Sequence, residues 1–166
     1  MIRSRHRRFG LPVLAAVLAA VCCSSSGVGV TAAVPSPNAM ATKLCRNLDK
    51  ALPRTVDGLD RQDPEPPSSL TAGWGEPLVI LRCGVPQPPK MIAPEVAEGK
   101  DPDAVAGEVH GVDWLMEKED DGAHLFTTAN REVYVEVQVP GGRDNSAVPI
   151  DLAASITQAI PEGIGN

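Results

Sequence analysis

The sequence predicts an α+β domain behind an N-terminal export segment: a first helix, a four-stranded, mainly antiparallel sheet and a last helix, both helices lying on one face of the sheet. Three patterns predict it. Leu44, Leu48 and Leu52 recur every four residues up to Pro53, a helical stripe with a stop. Val133, Val135, Val137 and Val139 alternate with Tyr134, Glu136 and Gln138, the period of a strand. Leu152, Ile156, Ala159 and Ile160 form a second helical stripe that ends at Pro161.

The chain opens on the export segment, residues 1–33. Arg3, Arg5, Arg7 and Arg8 precede a stretch from Phe9 to Val34 that carries no charge, and Leu11 to Cys23 is nearly all apolar. A basic flank, an apolar run and a small-residue exit are the parts of a secretory signal. The basic flank stays on the cytoplasmic side, so the rest of the chain crosses to an extracytoplasmic position. Three fates are open to this segment. It is cut after Ala32 or Ala33, it stays as a signal anchor, or Cys22 or Cys23 is lipidated ahead of the Ser-rich tract.

Residues 34–40 read as a tether, with Pro35 and Pro37 opposing helix. The domain then covers 41–166, and its first helix runs from about Ala41 to Leu52, with Thr42 as its cap. Residues 53–77 hold turn and polyproline chemistry at Asp57-Gly58 and Pro64-Glu65-Pro66-Pro67. The run Leu78-Val79-Ile80-Leu81-Arg82-Cys83 reads as a central strand buried on both faces. A second long loop, 84–107, carries five prolines. Loops of that length are uncommon in compact domains unless functional or mobile.

Beyond it the pattern is β. Val112, Trp114 and Met116 alternate with Asp113, Leu115 and Glu117, and Asp121-Gly122 is a hairpin turn leading to Leu125-Phe126-Thr127-Thr128. Asn130 turns the chain into the valine strand. The last helix spans about Leu152 to Ile160, capped by Asp151.

Charge limits the partners. With the four N-terminal arginines set aside, 11 of the 15 Lys and Arg remain against 21 Asp and Glu, a formal charge of −10. That sign repels phosphate backbones, so nucleic acid is excluded and membrane contact falls to the N-terminal segment alone. Cys45 and Cys83 are the two cysteines of the exported part, and in an oxidising compartment they pair most simply with each other. Two cysteines with no close His lack the ligands of a tetrahedral metal site.

Chemistry is sparse. A nucleophile elbow, a phosphate-cradling glycine loop and a paired-histidine metalloprotease motif are all missing, and no cofactor is expected. His110 and His124 fall on adjacent predicted strands, where with Asp113 they could build an acid–base or metal site. Two ordinary strand histidines are the simpler reading. The acidic run Glu117-Lys118-Glu119-Asp120-Asp121 suits a solvated hairpin tip better than a calcium loop, whose spaced oxygen ligands it lacks. Trp74, between Gly73 and Gly75, either covers the end of the core or stands out as a binding surface.

Leu44-Cys45-Arg46-Asn47-Leu48 with Leu52-Pro53, Ala72-Gly73-Trp74-Gly75, and Leu81-Arg82-Cys83-Gly84-Val85-Pro86 together resemble an actinobacterial family of exported envelope proteins. The family is the domain of unknown function 3515. Gly111-Val112-Asp113-Trp114 and Pro161-Glu162-Gly163 are similar to its pattern as well. The resemblance implies an exported or membrane-associated protein of a high-GC Gram-positive bacterium and brings no activity or substrate. The expectation is a non-catalytic module that binds an envelope protein or a cell-wall component. The alternative is a small enzyme using His110, His124 and Asp113.

Overall fold

In a computed structural model, the structure describes residues 30–165. The export segment, with Cys22 and Cys23, lies outside the described residues apart from its last four positions, 30–33. Helix α1 spans Ala39–Ala51. A two-stranded hairpin comes next, β1 (Thr55–Val56) and β2 (Leu59–Asp60). Strands β3 (Thr71–Trp74) and β4 (Val79–Val85) lead to a 3-10 turn at Pro89–Ile92 and to the single-turn helix α2 (Pro94–Ala97). Then come β5 (Ala104–Val109), β6 (Val112–Lys118), β7 (His124–Ala129) and β8 (Tyr134–Val139). Helix α3 (Ala147–Ala159) ends the series.

The architecture is α+β as expected, but the main sheet has six strands, not four, in the order β3-β4-β8-β7-β6-β5. Every neighbouring pair is antiparallel. From β4 the chain crosses to the far edge, enters β5, and returns through a meander until β8 pairs with β4. The crossing segment is the Pro-rich stretch after Val85, so the expected long loop contains an edge strand. The other loop, 53–77, contains β1, β2 and β3.

Helices α1 and α3 pack on each other and on one sheet face. Cys45 and Leu48 meet Leu152 and Ile156 over a floor of Leu81, Val135, Val137, Phe126 and Trp114. Val133, Val135, Val137 and Val139 are all buried there, as their alternation requires. Trp114 and Phe126 meet edge to face, with centroids 6.2 Å apart. Cys45 and Cys83 form the expected disulfide, 38 residues apart in sequence, which fastens α1 to β4.

Local chemistry corrects three expectations. Asn38 caps α1, not Thr42: its Oδ1 accepts the Ala41 N–H at 2.9 Å, while Thr42 Oγ1 donates to the Asn38 carbonyl at 2.8 Å. The tether 34–40 therefore ends inside a helix. Asp151 is not the cap of α3, which begins four residues earlier and accepts Pro149 in its first turn, where no N–H is needed. Asp151 instead accepts the Asp57 N–H at 2.8 Å and joins α3 to the β1–β2 turn. Finally, β4 is not buried on both faces. Its exposure alternates, with Val79, Leu81 and Cys83 inward and Arg82 turned to the opposite, outward face, and a register shift between Cys83 and Val85 brings Val85 to the outward side as well.

Arg131 is 3% exposed, and its guanidinium donates to the carbonyls of Ile160 at 3.0 Å and Gly111 at 2.7 Å. One buried side chain thereby joins the end of α3 to the β5–β6 turn. That turn is His110-Gly111, both at positive φ (50° and 78°), the geometry of a type I′ hairpin.

Candidate functional site

The outward sheet face, away from α1 and α3, carries the side chains that matter. In register across β4, β8, β7 and β6 stand Arg82, Glu136, Thr127 and Leu115. Two residues along, the parallel row is Ile80, Gln138, Leu125 and Glu117. Arg82 Nε donates to Glu136 Oε1 at 2.7 Å, and the second guanidinium nitrogen reaches the same oxygen. Glu136 is 8% exposed, so this ion pair is largely desolvated on the carboxylate side. Thr127, its cross-strand neighbour, is fully buried with its hydroxyl unpartnered.

Over this face the chain builds two walls. One is the segment Ala33-Val34-Pro35; the other is Val85 through Pro89. Between them lies an open groove of about 550 Å³ that also includes Arg82, Glu117, Leu125 and Glu136. The near wall is held by backbone pairing: the Ala32 N–H donates to the Glu65 carbonyl and the Glu65 N–H to the Val30 carbonyl, both at 2.9 Å. Gly84 is needed beneath it, because a Cβ there would sit 2.6 Å from Pro37 Cγ. At the far end Met91, Ala93 and Val96 pack on Leu115 and Ala104, closing the sheet face beyond Glu117.

Burial pushes the Glu117 carboxyl above its ordinary value; Lys90 opposes this, and Glu119, Glu136 and Asp101 reinforce it. The groove thus presents one guanidinium and two carboxylates, of which Glu136 is already neutralised by Arg82. Glu117 makes no ion pair among the described residues.

The residues singled out in the sequence fare differently. Trp74 does not stand out at the surface: it is 0% exposed, its Nε1 donates to the Pro53 carbonyl at 3.2 Å, and Arg61 stacks 5.3 Å from its ring. Its place on β3 facing the core makes it a packing residue. His110 and His124 do not meet. His110 sits in the β5–β6 turn, whereas His124 pairs with Lys118 at the other end of β6, roughly 20 Å away at about 3.4 Å per residue. Asp113 stays near His110 but is engaged by Asn130 Nδ2 at 2.9 Å. Among the described residues no group of three His, Cys, Asp or Glu side chains is placed to hold a metal. Ala33 is exposed on the near wall of the groove.

The groove itself has no local sequence signature. Arg82 and Glu136 are 54 residues apart, and only the β4–β8 pairing brings them together. The available signal is a charge in the middle of each of two apolar strands.

A family model, Protein of unknown function (DUF3515), matches residues 9–164. The chain belongs to this family. Neither the curated proteins nor the solved structures contain a match. Among the described residues no helix is long and apolar enough to cross a membrane.

Proposed function

We propose that this DUF3515 protein is a non-catalytic binding module of the cell envelope, held at the outer face of the cytoplasmic membrane by its N-terminal segment. Its groove over the outward sheet face receives an envelope protein or a cell-wall component. The groove is the observation that carries this reading: apolar walls of Val34, Pro35, Val85 and Pro86 and the floor residue Leu125 surround a few convergent charged groups, the usual make-up of a ligand site. Because Glu117 is the groove carboxylate with no ion-pair partner among the described residues, the ligand that suits the groove carries a cationic group on an apolar stem.

Three further observations support the reading. The Cys45–Cys83 bridge suits an oxidising, extracytoplasmic compartment. Residues 30–32 are bonded to Glu65, so a cut after Ala33 would strip a backbone donor and acceptor of their partners; this favours their retention, by a signal anchor or by lipidation at Cys22 or Cys23. The carboxylate of Glu136 is engaged by Arg82 and the two histidines stand apart, which favours recognition over acid–base chemistry.

Capture from native membranes by the wild type and by Glu117→Lys tests the proposal. The wild type should recover one recurrent envelope component that the variant loses. Equal recovery by both proteins would sink the groove as the binding site.

A further inference from the structure

The two edges of the main sheet are treated differently by the chain. At the β3 edge the protein covers its own backbone: the Gln62 N–H donates to the Gly73 carbonyl at 2.8 Å and the Gly75 N–H to the Asp60 carbonyl at 3.1 Å. At the other edge, β5 pairs with β6 on one side, and among the described residues no strand lies on its other side. The Lys118 N–H donates to the Asp103 carbonyl at 2.8 Å. In the alternating antiparallel ladder this turns the backbone groups of residues 105, 107 and 109 toward β6 and those of Ala106 and Glu108 outward.

Natural sheet edges are usually blunted by lysine, proline, a bulge or a covering loop. Residues 104–109 (Ala-Val-Ala-Gly-Glu-Val) hold no lysine and no proline and pair with β6 in unbroken register. Val105 is 52% exposed. A second observation lies on the outward face of the same edge. Glu108 stands directly opposite Asp113 in the β5–β6 register, a like-charge pair that costs stability in a sheet. Glu108 accepts the Gly111 N–H at 2.6 Å and Asp113 the Asn130 amide at 2.9 Å. Among the described residues no basic side chain pairs with either carboxylate.

We infer that β5 is a docking edge for an extended segment of a basic partner protein, which adds to the sheet as a further strand. Backbone groups of Ala106 and Glu108 supply the hydrogen bonds, as in other cases of strand addition. Alternate lysines or arginines of the segment fall on the Glu108 and Asp113 face, and β-branched apolar residues fall beside Val105 and Val109. The formal charge of −10 after the N-terminal arginines favours a basic partner over a second copy of this chain. The surface is separate from the groove and does not depend on it.

The test uses the full chain in lipid nanodiscs and a labelled, end-blocked peptide of alternating Lys and Val, with Glu-Val and Lys-Pro peptides as controls. Fluorescence anisotropy should show binding of the Lys-Val peptide alone, and hydrogen exchange should slow at Ala106 and Glu108 while the groove is unchanged. Ala106→Pro removes one outward N–H at an edge position that tolerates proline, and should weaken binding by about tenfold or more. Glu108→Lys, which leaves the strand backbone intact, should weaken it by a similar factor and carries the test if the proline variant does not fold. Failure of the Lys-Val peptide to bind, equal binding by the control peptides, or undiminished binding by Glu108→Lys overturns the proposal. Concentration-dependent self-association that itself protects Ala106 and Glu108 would also overturn it, because a second copy would then occupy the edge.

Discussion

Arg82 on β4 and Glu136 on β8 face each other across the sheet, with Nε donating to Oε1 at 2.7 Å and Glu136 only 8% exposed. The pair sits on the floor of the groove and its two members depend on each other unequally. Arg82 keeps about a third of its side chain in solvent, whereas the Glu136 side chain keeps 11%. Removing the arginine leaves a buried carboxylate without a counter-charge; removing the glutamate leaves a guanidinium that water can still reach.

Arg82→Ala should therefore destabilise the protein by roughly 1–3 kcal/mol, below the loss for a fully buried pair because the groove is open. Glu136→Gln should cost less. Urea unfolding of both variants and of the double variant measures the coupling; equal losses from the two single variants would show that the pair is screened.

Glu117 gives a pH signature. Its folded pKa lies above the ordinary 4.5 because burial penalises the carboxylate. A group raised on folding contributes stability that is fully present below its unfolded pKa and lost as pH rises through the folded value. Glu117→Gln should thus remove a decline in stability that begins near the ordinary carboxylate range and continues above it. Thermal unfolding of the two proteins from pH 4 upward checks the sign. A wild type that gains stability relative to the variant across that window would refute the burial argument.

Cys45 and Cys83 should resist alkylation in the non-reduced protein. Closing a loop of 38 residues is worth about 4 kcal/mol in the chain-entropy model, so Cys45→Ala with Cys83→Ala should lose close to that amount. Full labelling of both thiols under non-denaturing, non-reducing conditions would show that the bridge is not formed.

Trp74→Ala should act on stability first. Deleting a wholly buried tryptophan costs about 3–5 kcal/mol, and Arg61 loses the ring on which it stacks. Trp74→Phe restores most of the volume but not the hydrogen bond to the Pro53 carbonyl. If Trp74→Phe keeps near-native stability while abolishing partner binding, the tryptophan reaches the partner after all.

The sequence is most legible where a strong period meets a stop signal. Leu44, Leu48 and Leu52 ahead of Pro53, and Val133 to Val139 ahead of Pro140-Gly141, both form the elements their spacing requires. Strand β5 escapes such a reading because alanine and glycine, which dominate residues 104–107, have little intrinsic preference for strands. Its pairing with β6, through the two-residue His110-Gly111 turn, overrides that weakness. Strand β3 escapes for the same reason, since Thr71-Ala72-Gly73-Trp74 holds two small residues. The cap of α1 moves to Asn38 because Asn caps at least as well as Thr and three helix-compatible residues come after it.

The groove is the least legible part. Its walls come from residues 33–35 and 85–89, and its floor from β4, β6, β7 and β8. No local pattern joins these pieces; the β4–β8 pairing and the bonding of residues 30–32 to Glu65 do. The alternative of a paired-histidine site fails on register. A meander in which β6 separates His110 from His124 by its whole length leaves them at opposite ends.

The central claim, that the groove over the outward sheet face is where this protein meets its partner, is tested most directly by site-directed photo-cross-linking in living cells. A photoreactive residue replaces Leu125 on the groove floor or, as the control, exposed Ile150 on α3. The account predicts one dominant envelope product from position 125, lost on adding Glu117→Lys, and no matching product from position 150. The same product from both positions, or a product at 150 alone, would contradict it.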